Sequence, residues 1–585
     1  MSNCSASGRP RKISIQNPDV VVERDQHQLH FRFNGLSNNP VSDHYLLCTT
    51  PFDFEHSARI LGDGFQMLAQ TSGYLSQPVD VGRCPDNSRS YRIYPSTAAK
   101  RYYNYLVIEQ AEGFSLFGFT SCHRFAGYFE IAETLDGPAI CAYIDGEHTH
   151  PQDWTSCDLE SMVMLTGPSL DELYDQYSHY LTATHPPRHG VTRPAPCGWC
   201  SWYAYYAEAT EQDIYTNLAC MEGELSSLEW VLIDDGYQAY MGDWLTPSDK
   251  FSSGVKSLVA DIKAKGKKAA IWLAPFIAQP ESELFRQHPD WFVRHADGRH
   301  LKAEDVTYAG WRCTPWYILD TSHPGAQHYL TQVFKTMREE WGVEMFKLDA
   351  NYWGTLKGAR HTSGMTGVEA YRLGMEAIAE GAGEANLIGC NAPMWPSLGL
   401  VDAMRVSDDV ERDPRRFAQI ARETFFRSWQ HRRLWQIDPD CATFVSLPNQ
   451  GAERSAYEFH RDVLLASGGL LLSGDPLPDL TPFAKASWQK LMLRQRFSQS
   501  AARFSSLSLS HACLALTDQA ELHCVFNYQG PSREITLRSE QLVHWFDYWT
   551  GRRLSDEPSC VFSVSLSAGL SSRAILAAPV MLSPA

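Results

Sequence analysis

The stretch Val343-Glu344-Met345-Phe346-Lys347-Leu348-Asp349-Ala350-Asn351 decides the reading of this chain. It is a short, mostly apolar run that ends in a lysine and a carboxylate. Such a run reads as a buried strand that delivers polar groups to one end of a domain. Taken alone, its plain explanation is a salt bridge between Lys347 and Asp349 at a strand end. Other stretches repeat the plan, however, and one of them supplies a second carboxylate.

Working outward, the chain alternates strand and helix from residue 197 to residue 475. Strand one is Cys197-Gly198-Trp199-Cys200-Ser201-Trp202-Tyr203. A helix follows, opened by the capping box Thr210-Glu211-Gln212-Asp213, with Ile214, Leu218, Met221 and Leu225 on one face. Strand two is Trp230 to Asp235. The next helix carries Val255, Leu258, Val259 and Ile262 and stops at Gly266. Strand three is Ala269 to Pro275. After an insertion with a hairpin turn at His295-Ala296-Asp297-Gly298-Arg299, a helix starts at Pro324, and the opening stretch is strand four. Strand five is Leu387 to Asn391 and strand six Ala403 to Ser407. A long helix from Arg416 to Leu434 leads to strand seven, Ala442 to Ser446, and strand eight is Gly469 to Ser473. Eight strands in this rhythm predict a (β/α)8 barrel. A doubly wound open sheet is the alternative, but no glycine-rich nucleotide loop follows strand one.

The flanks read differently. From Val20 to Leu181, short apolar or alternating runs broken by Gly, Pro, Asn and Asp predict a β-sandwich. Within it, Leu61-Gly62-Asp63-Gly64-Phe65-Gln66-Met67-Leu68 reads as a loop with exposed Asp63 and Phe65, either a turn or a reach toward a neighbouring domain. An amphipathic helix with Leu170, Leu173, Tyr174, Tyr177 and Leu181 closes the region, and Pro186 to Pro196 is a linker. Helical signals fade after Ser500, which predicts a small antiparallel β-domain. The expected domains are 1–190, 191–499 and 500–585.

Composition narrows the function. With 51 basic and 68 acidic residues, a net charge of −17 argues against a nucleic-acid or anionic-membrane partner and suits a neutral small molecule. The 17 Trp, 26 Tyr and 27 Phe suit sugar platforms, although a large β-rich core needs aromatics too. Met1 to Gln16 is polar and basic, without the apolar segment of a signal peptide, and no run approaches a membrane span. Fifteen scattered cysteines are not a secreted disulfide framework. Cys197 and Cys200 have metal-ligand spacing, but on a strand they point to opposite faces. The expected compartment is the cytoplasm, with no cofactor.

Barrel enzymes place their chemistry where the strands end. In this sequence those ends carry Trp202, Asp234, Asp235, Trp272, Lys347, Asp349, Cys390, Asn391, Arg405, Asp408, Asp409 and Asp475. Each singly has a structural explanation as cap, salt bridge or turn; together they predict a carboxylate-rich pocket with aromatic walls. No metal constellation, Ser-His-Asp elbow or phosphate loop accompanies them. Carboxylates on separate strands beside aromatics point to glycoside hydrolysis.

The motifs Gly198-Trp199-Cys200-Ser201-Trp202-Tyr203, Ile233-Asp234-Asp235-Gly236-Tyr237-Gln238, Ile271-Trp272-Leu273-Ala274-Pro275-Phe276, Phe346-Lys347-Leu348-Asp349, Gly389-Cys390-Asn391 and Met404-Arg405-Val406-Ser407-Asp408-Asp409-Val410 run through the whole barrel. In this order they resemble the α-galactosidases of glycoside hydrolase family 36, in clan D. The resemblance implies a retaining, exo-acting α-galactosidase for oligosaccharides such as melibiose or raffinose, with Asp349 as nucleophile and Asp409 as acid/base. Asp408 is the alternative acid if the motif is aligned on Ser-Asp; the Arg405 spacing and the following valine favour Asp409. The resemblance further carries over Asp234 and Asp235 as ligands of the sugar's O4 and O6, and Trp199, Trp272, Lys347, Cys390 and Arg405 as sugar contacts. Asp63 and Phe65 resemble a loop that reaches the active site, although some members have a tryptophan there and this chain does not.

Three other readings stay open. Arg405 to Val410 followed by Arg412-Asp413-Pro414 resembles plant raffinose synthases, whose acceptor is a sugar. An α-N-acetylgalactosaminidase turns on residues near Cys390. A non-catalytic carbohydrate-binding protein is the reading from a different class, and it would not need both Asp349 and Asp409.

Overall fold

The computed structural model describes residues 13–580, so most of the polar, basic opening lies outside the described residues. Eight short strands form one parallel sheet. They are Cys197–Cys200, Trp230–Ile233, Lys268–Leu273, Met345–Leu348, Asn386–Gly389, Ala403–Arg405, Gln436–Asp438 and Leu471–Ser473. Their order is seven, six, five, four, three, two, one, eight. Between strands seven and eight, Leu470 donates its amide to Ile437 O at 2.9 Å and Ala442 to Leu472 O at 2.7 Å, which closes the ring. Sequential parallel strands with helical crossovers and a closed ring make a (β/α)8 barrel.

Two compact units share the chain: Met1–Gly190 with Gly236–Ala260 and Ile271–Ala403, and Val191–Asp235 with Asp261–Ala270 and Met404–Ala585. The first opens on eleven antiparallel strands from Val20–Asp25 to Asp158–Gly167. Strand Tyr102–Gln110 changes partner midway. Tyr102 and Tyr103 pair with Phe129 and Tyr128, whereas Tyr105 to Gln110 pair with Gly118 to Gly113. Asn104 sits at the switch with φ +66°, a left-handed conformation that asparagine tolerates better than most residues. A strand that swaps neighbours in this way folds the strands over one another as the predicted sandwich. Helix Leu170–Thr184, capped by Ser169, buries Leu170, Leu173, Tyr174, Tyr177 and Leu181, the face read from the sequence. The hairpin turn at His295 to Arg299 is present, with the His295 amide on Arg299 O at 2.8 Å.

In the second unit the capping box at Thr210 and Asp213 forms as expected, but its helix ends at Cys220, short of Met221 and Leu225. Strand seven corrects the sequence reading. The ladder strand is Gln436–Asp438, and Ala442 to Ser446 is a loop, buried as far as Val445, in which Ala442 bridges to Ser473. The Asp475 carboxylate takes the amides of Phe444 and Val445 at 2.6 and 3.3 Å. A β-branched, apolar run therefore meets its backbone hydrogen-bond needs on a side chain instead of a strand, and burial alone gave it a strand's composition. The preceding helix is also shorter than expected, Pro414–Arg427 followed by one 3-10 turn. The predicted C-terminal β-domain is a six-stranded antiparallel sheet from Arg503–Phe504 to Leu570–Ala578, with Val525, Leu537, Trp545 and Ile575 in its core. Among the described residues no helix is long and apolar enough to cross a membrane.

Candidate active site

The sequence-predicted polar residues lie at or just past the strand ends, in two clusters. The first is built on strands three, four and five. Asp349 follows strand four, with its amide on Leu273 O at 2.7 Å. Its carboxylate receives three N–H donors: Trp272 Nε1 at 3.0 Å on Oδ2, and Asn391 Nδ2 and the Ala350 amide, each at 2.7 Å, on Oδ1. Ala350 and Asn391 have φ of +53° and +40°. An alanine in the left-handed region costs about 1–2 kcal/mol. What it gains here is a chain reversal that turns its own N–H onto the preceding carboxylate and starts the turn Asn351–Thr355. Three donors aimed at one carboxylate fix its orientation and stabilise its negative charge.

Lys347 and Cys390 belong to the same cluster and are buried, Lys347 on strand four and Cys390 one residue past strand five, its amide on Leu348 O at 2.7 Å. Trp272 packs edge-on against Trp244 and Trp311, with ring centroids 6.0 and 6.3 Å away. Sequence reasoning missed Trp244 and Trp311, because both stand in irregular segments that carry no periodicity. It named Asn391 without seeing its role as a donor to Asp349.

The loop from the N-terminal domain joins this cluster. Met67 donates to Ala392 O at 3.1 Å and Met394 to Phe65 O at 2.9 Å, so the loop is stitched to the segment after strand five. Asp63 and Phe65 are not exposed as expected; they are 3 % and 6 % accessible. Asn104, at the strand switch, donates to Asp63 Oδ2 at 2.9 Å and Gly64 O at 2.8 Å. Phe65 packs its ring edge-on against Tyr103 and Tyr352. Its amide donates to Asp86 at 2.8 Å, a carboxyl that burial pushes up to about 7. A Cβ on Gly64 would lie 1.8 Å from Ala69 O, so only glycine fits there.

The second cluster follows strands one, two, six and seven. Arg405 ends strand six, and its Nη2 meets Asp409 Oδ1 at 2.8 Å, Asp440 Oδ2 at 2.5 Å and the Tyr203 hydroxyl at 3.3 Å. Tyr203 in turn donates to Asp440 Oδ2 at 2.5 Å. Burial is the largest influence on Tyr203 and keeps its hydroxyl protonated. Asp440 was not foreseen; it follows the strand that the sequence reading misplaced.

Asp408 and Asp409 have opposite surroundings. The Asp409 side chain is 50 % exposed, that of Asp408 only 10 %. Asp408 pairs with Arg416 at 2.7 Å, accepts from Gln419 at 3.3 Å and takes the Asp409 amide at 2.8 Å. Its own amide donates to Glu423 at 2.8 Å. Burial, with Asp408 adding to it, pushes Glu423 up to about 8.

Asp234 and Asp235 follow strand two and are both buried. Asp234 takes the Asp235 amide at 2.8 Å and the Cys200 thiol at 3.5 Å, and its own amide rests on Ser201 Oγ at 3.0 Å. Trp199, expected as a sugar contact, is fully buried and gives its indole N–H to the Asp475 carbonyl at 2.9 Å. Asp475, expected among the pocket carboxylates, is instead an internal latch. It is fully buried, pairs with Arg412 at 2.8 Å and holds the loop after strand seven. Burial raises its carboxyl and Arg412 opposes that.

With the geometry in place, comparisons with known proteins bear on the family. The melibiase family model matches residues 159–384, a segment that includes Asp349 and stops before strand five. An α-galactosidase of Escherichia coli is 29% identical over 136 residues, 21% of this chain and 17% of that protein. AgaA, an α-galactosidase of Geobacillus stearothermophilus, is 33% identical over 98 residues, 16% of this chain and 13% of AgaA. The chain thus spans less than a fifth of these curated relatives in matched sequence. Structural likeness extends further. The crystal structure of AgaA, a family 36 enzyme, superposes with a TM-score of 0.63 at 15% identity, covering 94% of this chain and 77% of that one. TtGalA from Thermus thermophilus, solved with p-nitrophenyl α-D-galactopyranoside, gives 0.64 at 21% identity, covering 87% and 97%. At such identities the superpositions speak for the fold. Residues 159–384 match the melibiase family model, and parts of the chain are similar in sequence to α-galactosidases.

Proposed function

We propose that the chain is a retaining α-galactosidase that removes terminal α-galactosyl residues from oligosaccharides such as melibiose or raffinose. The observation that carries the reading is the Asp349 carboxylate, fixed at a barrel strand end by Trp272, Asn391 and the Ala350 amide within the segment the melibiase model matches. A nucleophile needs that fixation: it must meet the anomeric carbon at one angle and remain charged while waiting. In the proposed double displacement Asp349 attacks C1, the C1–O bond to the leaving group breaks, and a glycosyl ester forms. Asp409 gives its proton to the departing oxygen, then takes one from the water that cleaves the ester. The chemistry requires the two carboxyls about 5–5.5 Å apart.

Asp409 suits the proton-carrying role better than Asp408. Arg405 already balances the buried Asp440 carboxylate, so a protonated Asp409 leaves a neutral pair behind it, and its half-exposed side chain has access to a leaving group and to water. Asp408 is engaged by Arg416 and Gln419. In this reading Asp234 and Asp235 bind O4 and O6 and select the axial O4 of galactose, since a buried carboxylate left without a donor is costly. Trp272 holds Asp349 and Trp199 backs the site, both fully buried, and Lys347, Cys390 and Arg405 lie beside the sugar. Asp63 and Phe65, being buried, shape the loop that borders it. A reducing compartment such as the cytoplasm suits the unbridged thiols of Cys197 and Cys200.

The test is a donor panel: p-nitrophenyl α-galactoside, its α-N-acetylgalactosaminide and raffinose, with and without galactinol and sucrose. Hydrolysis of the galactosides is expected. Transfer without hydrolysis would replace the reading with a synthase, preference for the galactosaminide with a galactosaminidase, and silence on every donor would end it.

A further inference from the structure

The C-terminal β-domain holds a cluster that galactoside chemistry does not use. In the hairpin formed by His511–Thr517 and Ala520–Tyr528, Cys513 lies directly opposite His523 and Ala515 opposite Glu521. Antiparallel partners and residues two apart share a face, so one face of the hairpin carries His511, Cys513, Glu521 and His523. The other face carries the buried Ala512, Leu514 and Leu522. Possible ligand atoms of Cys513, Glu521 and His523 all lie within 4.8 Å of one another.

A second observation points to a ligand. His523 is 1 % accessible, and its Nε2 has no hydrogen-bond partner; the Glu521 carboxylate stands 3.7 Å away. A buried polar atom without a partner is uncommon in native proteins and calls for an explanation. The other ring nitrogen, Nδ1, is bonded to His511 Nε2 at 3.0 Å, and the two rings stack at 5.3 Å. This is how a ligating histidine is usually held: an outer partner on one nitrogen fixes the ring and leaves the other for the metal. Glu521 is 37 % exposed, which gives an ion a way in.

We infer that Cys513, Glu521 and His523 form a binding site for a divalent ion of the zinc class, with His511 as the positioning residue behind His523. A thiolate, an imidazole and a carboxylate are a zinc or cobalt donor set, and three protein ligands leave the fourth tetrahedral position to water. Binding breaks the Cys513 S–H bond, forms the metal–sulfur bond and releases the proton to solvent. The cation itself takes the proton's place on the sulfur. The bound ion would pin the two strands of the hairpin together, far in sequence from Asp349 and Asp409.

The experiment uses the full chain, stripped with a chelator and titrated with Co²⁺ and then with Zn²⁺. One equivalent of Co²⁺ is expected to produce a thiolate-to-cobalt charge-transfer band, which Zn²⁺ displaces. Cys513→Ser should lose the band, and Glu521→Gln, at a half-exposed position, should weaken binding while staying folded. His511→Phe, which keeps the stacked ring but loses the nitrogen, should weaken it by about 10–100-fold. Absence of saturable binding by the parent chain, or an unchanged band in Cys513→Ser, would overturn the inference.

Discussion

The turn after strand four and the turn after strand six each present a carboxylate, and they treat it in opposite ways. Asp349 is 8 % accessible and held by three neutral N–H donors, two of them made available by left-handed residues. Asp409 is half-exposed and pairs with Arg405, a cation that also meets Asp440. The first environment restrains position and stabilises charge; the second leaves a side chain able to exchange a proton with solvent. A double displacement demands that asymmetry, because one carboxyl forms a bond to carbon while the other only moves a proton.

Removing each carboxylate breaks the comparison most severely. Asp349→Ala is expected to lower kcat by about 10⁴-fold or more on every substrate, since no other group supplies the nucleophile. Azide should restore turnover and give the β-galactosyl azide. Asp409→Ala should cost about 10²–10⁴-fold on raffinose and far less on p-nitrophenyl α-galactoside, whose leaving group needs no acid; azide should here give the α-azide. Asp408→Ala is the control. The folded protein should keep kcat near the parent value, while the chain loses up to about 3 kcal/mol in urea unfolding because Arg416 loses a buried partner.

Subtler changes sharpen the contrast. Trp272→Phe keeps an aromatic ring but deletes one donor to Asp349, and a drop in kcat of about tenfold, near 1.4 kcal/mol, is expected. Glu423 bears on the other turn through pH. Its carboxyl is pushed up from 4.5 to about 8, so the folded chain binds that proton more tightly than the unfolded one. This group's contribution to stability therefore declines as pH rises from about 4.5 to about 8. Glu423→Gln, which still offers an oxygen to the Asp408 amide, should flatten that part of the profile in urea unfolding measured at several pH values.

The comparison also explains what could be read from the sequence. Strand four was legible because a short apolar run met a charged tip, and the same pattern revealed strands one, two, three, five and six. Strand seven was not. Ala442 to Ser446 has a strand's composition, but Asp475 satisfies its amides from a side chain 30 residues or more away, which no local pattern displays. Asp440 was missed with it. Asp63 and Phe65 were read as exposed because glycines flank them; the burial comes from Asn104, Tyr103 and Tyr352, distant in sequence. Local periodicity thus disclosed the barrel and the tips of its strands, while the long-range hydrogen bonds that orient each side chain needed the fold.

The most direct measurement is to trap the glycosyl-enzyme with a fluorinated galactosyl fluoride whose intermediate hydrolyses slowly, digest the protein and locate the added mass. The account predicts a label on Asp349 in the parent chain, and on the same residue in Asp409→Ala. A label on Asp408 or Asp409, or no covalent adduct while the sugar is turned over, would contradict it.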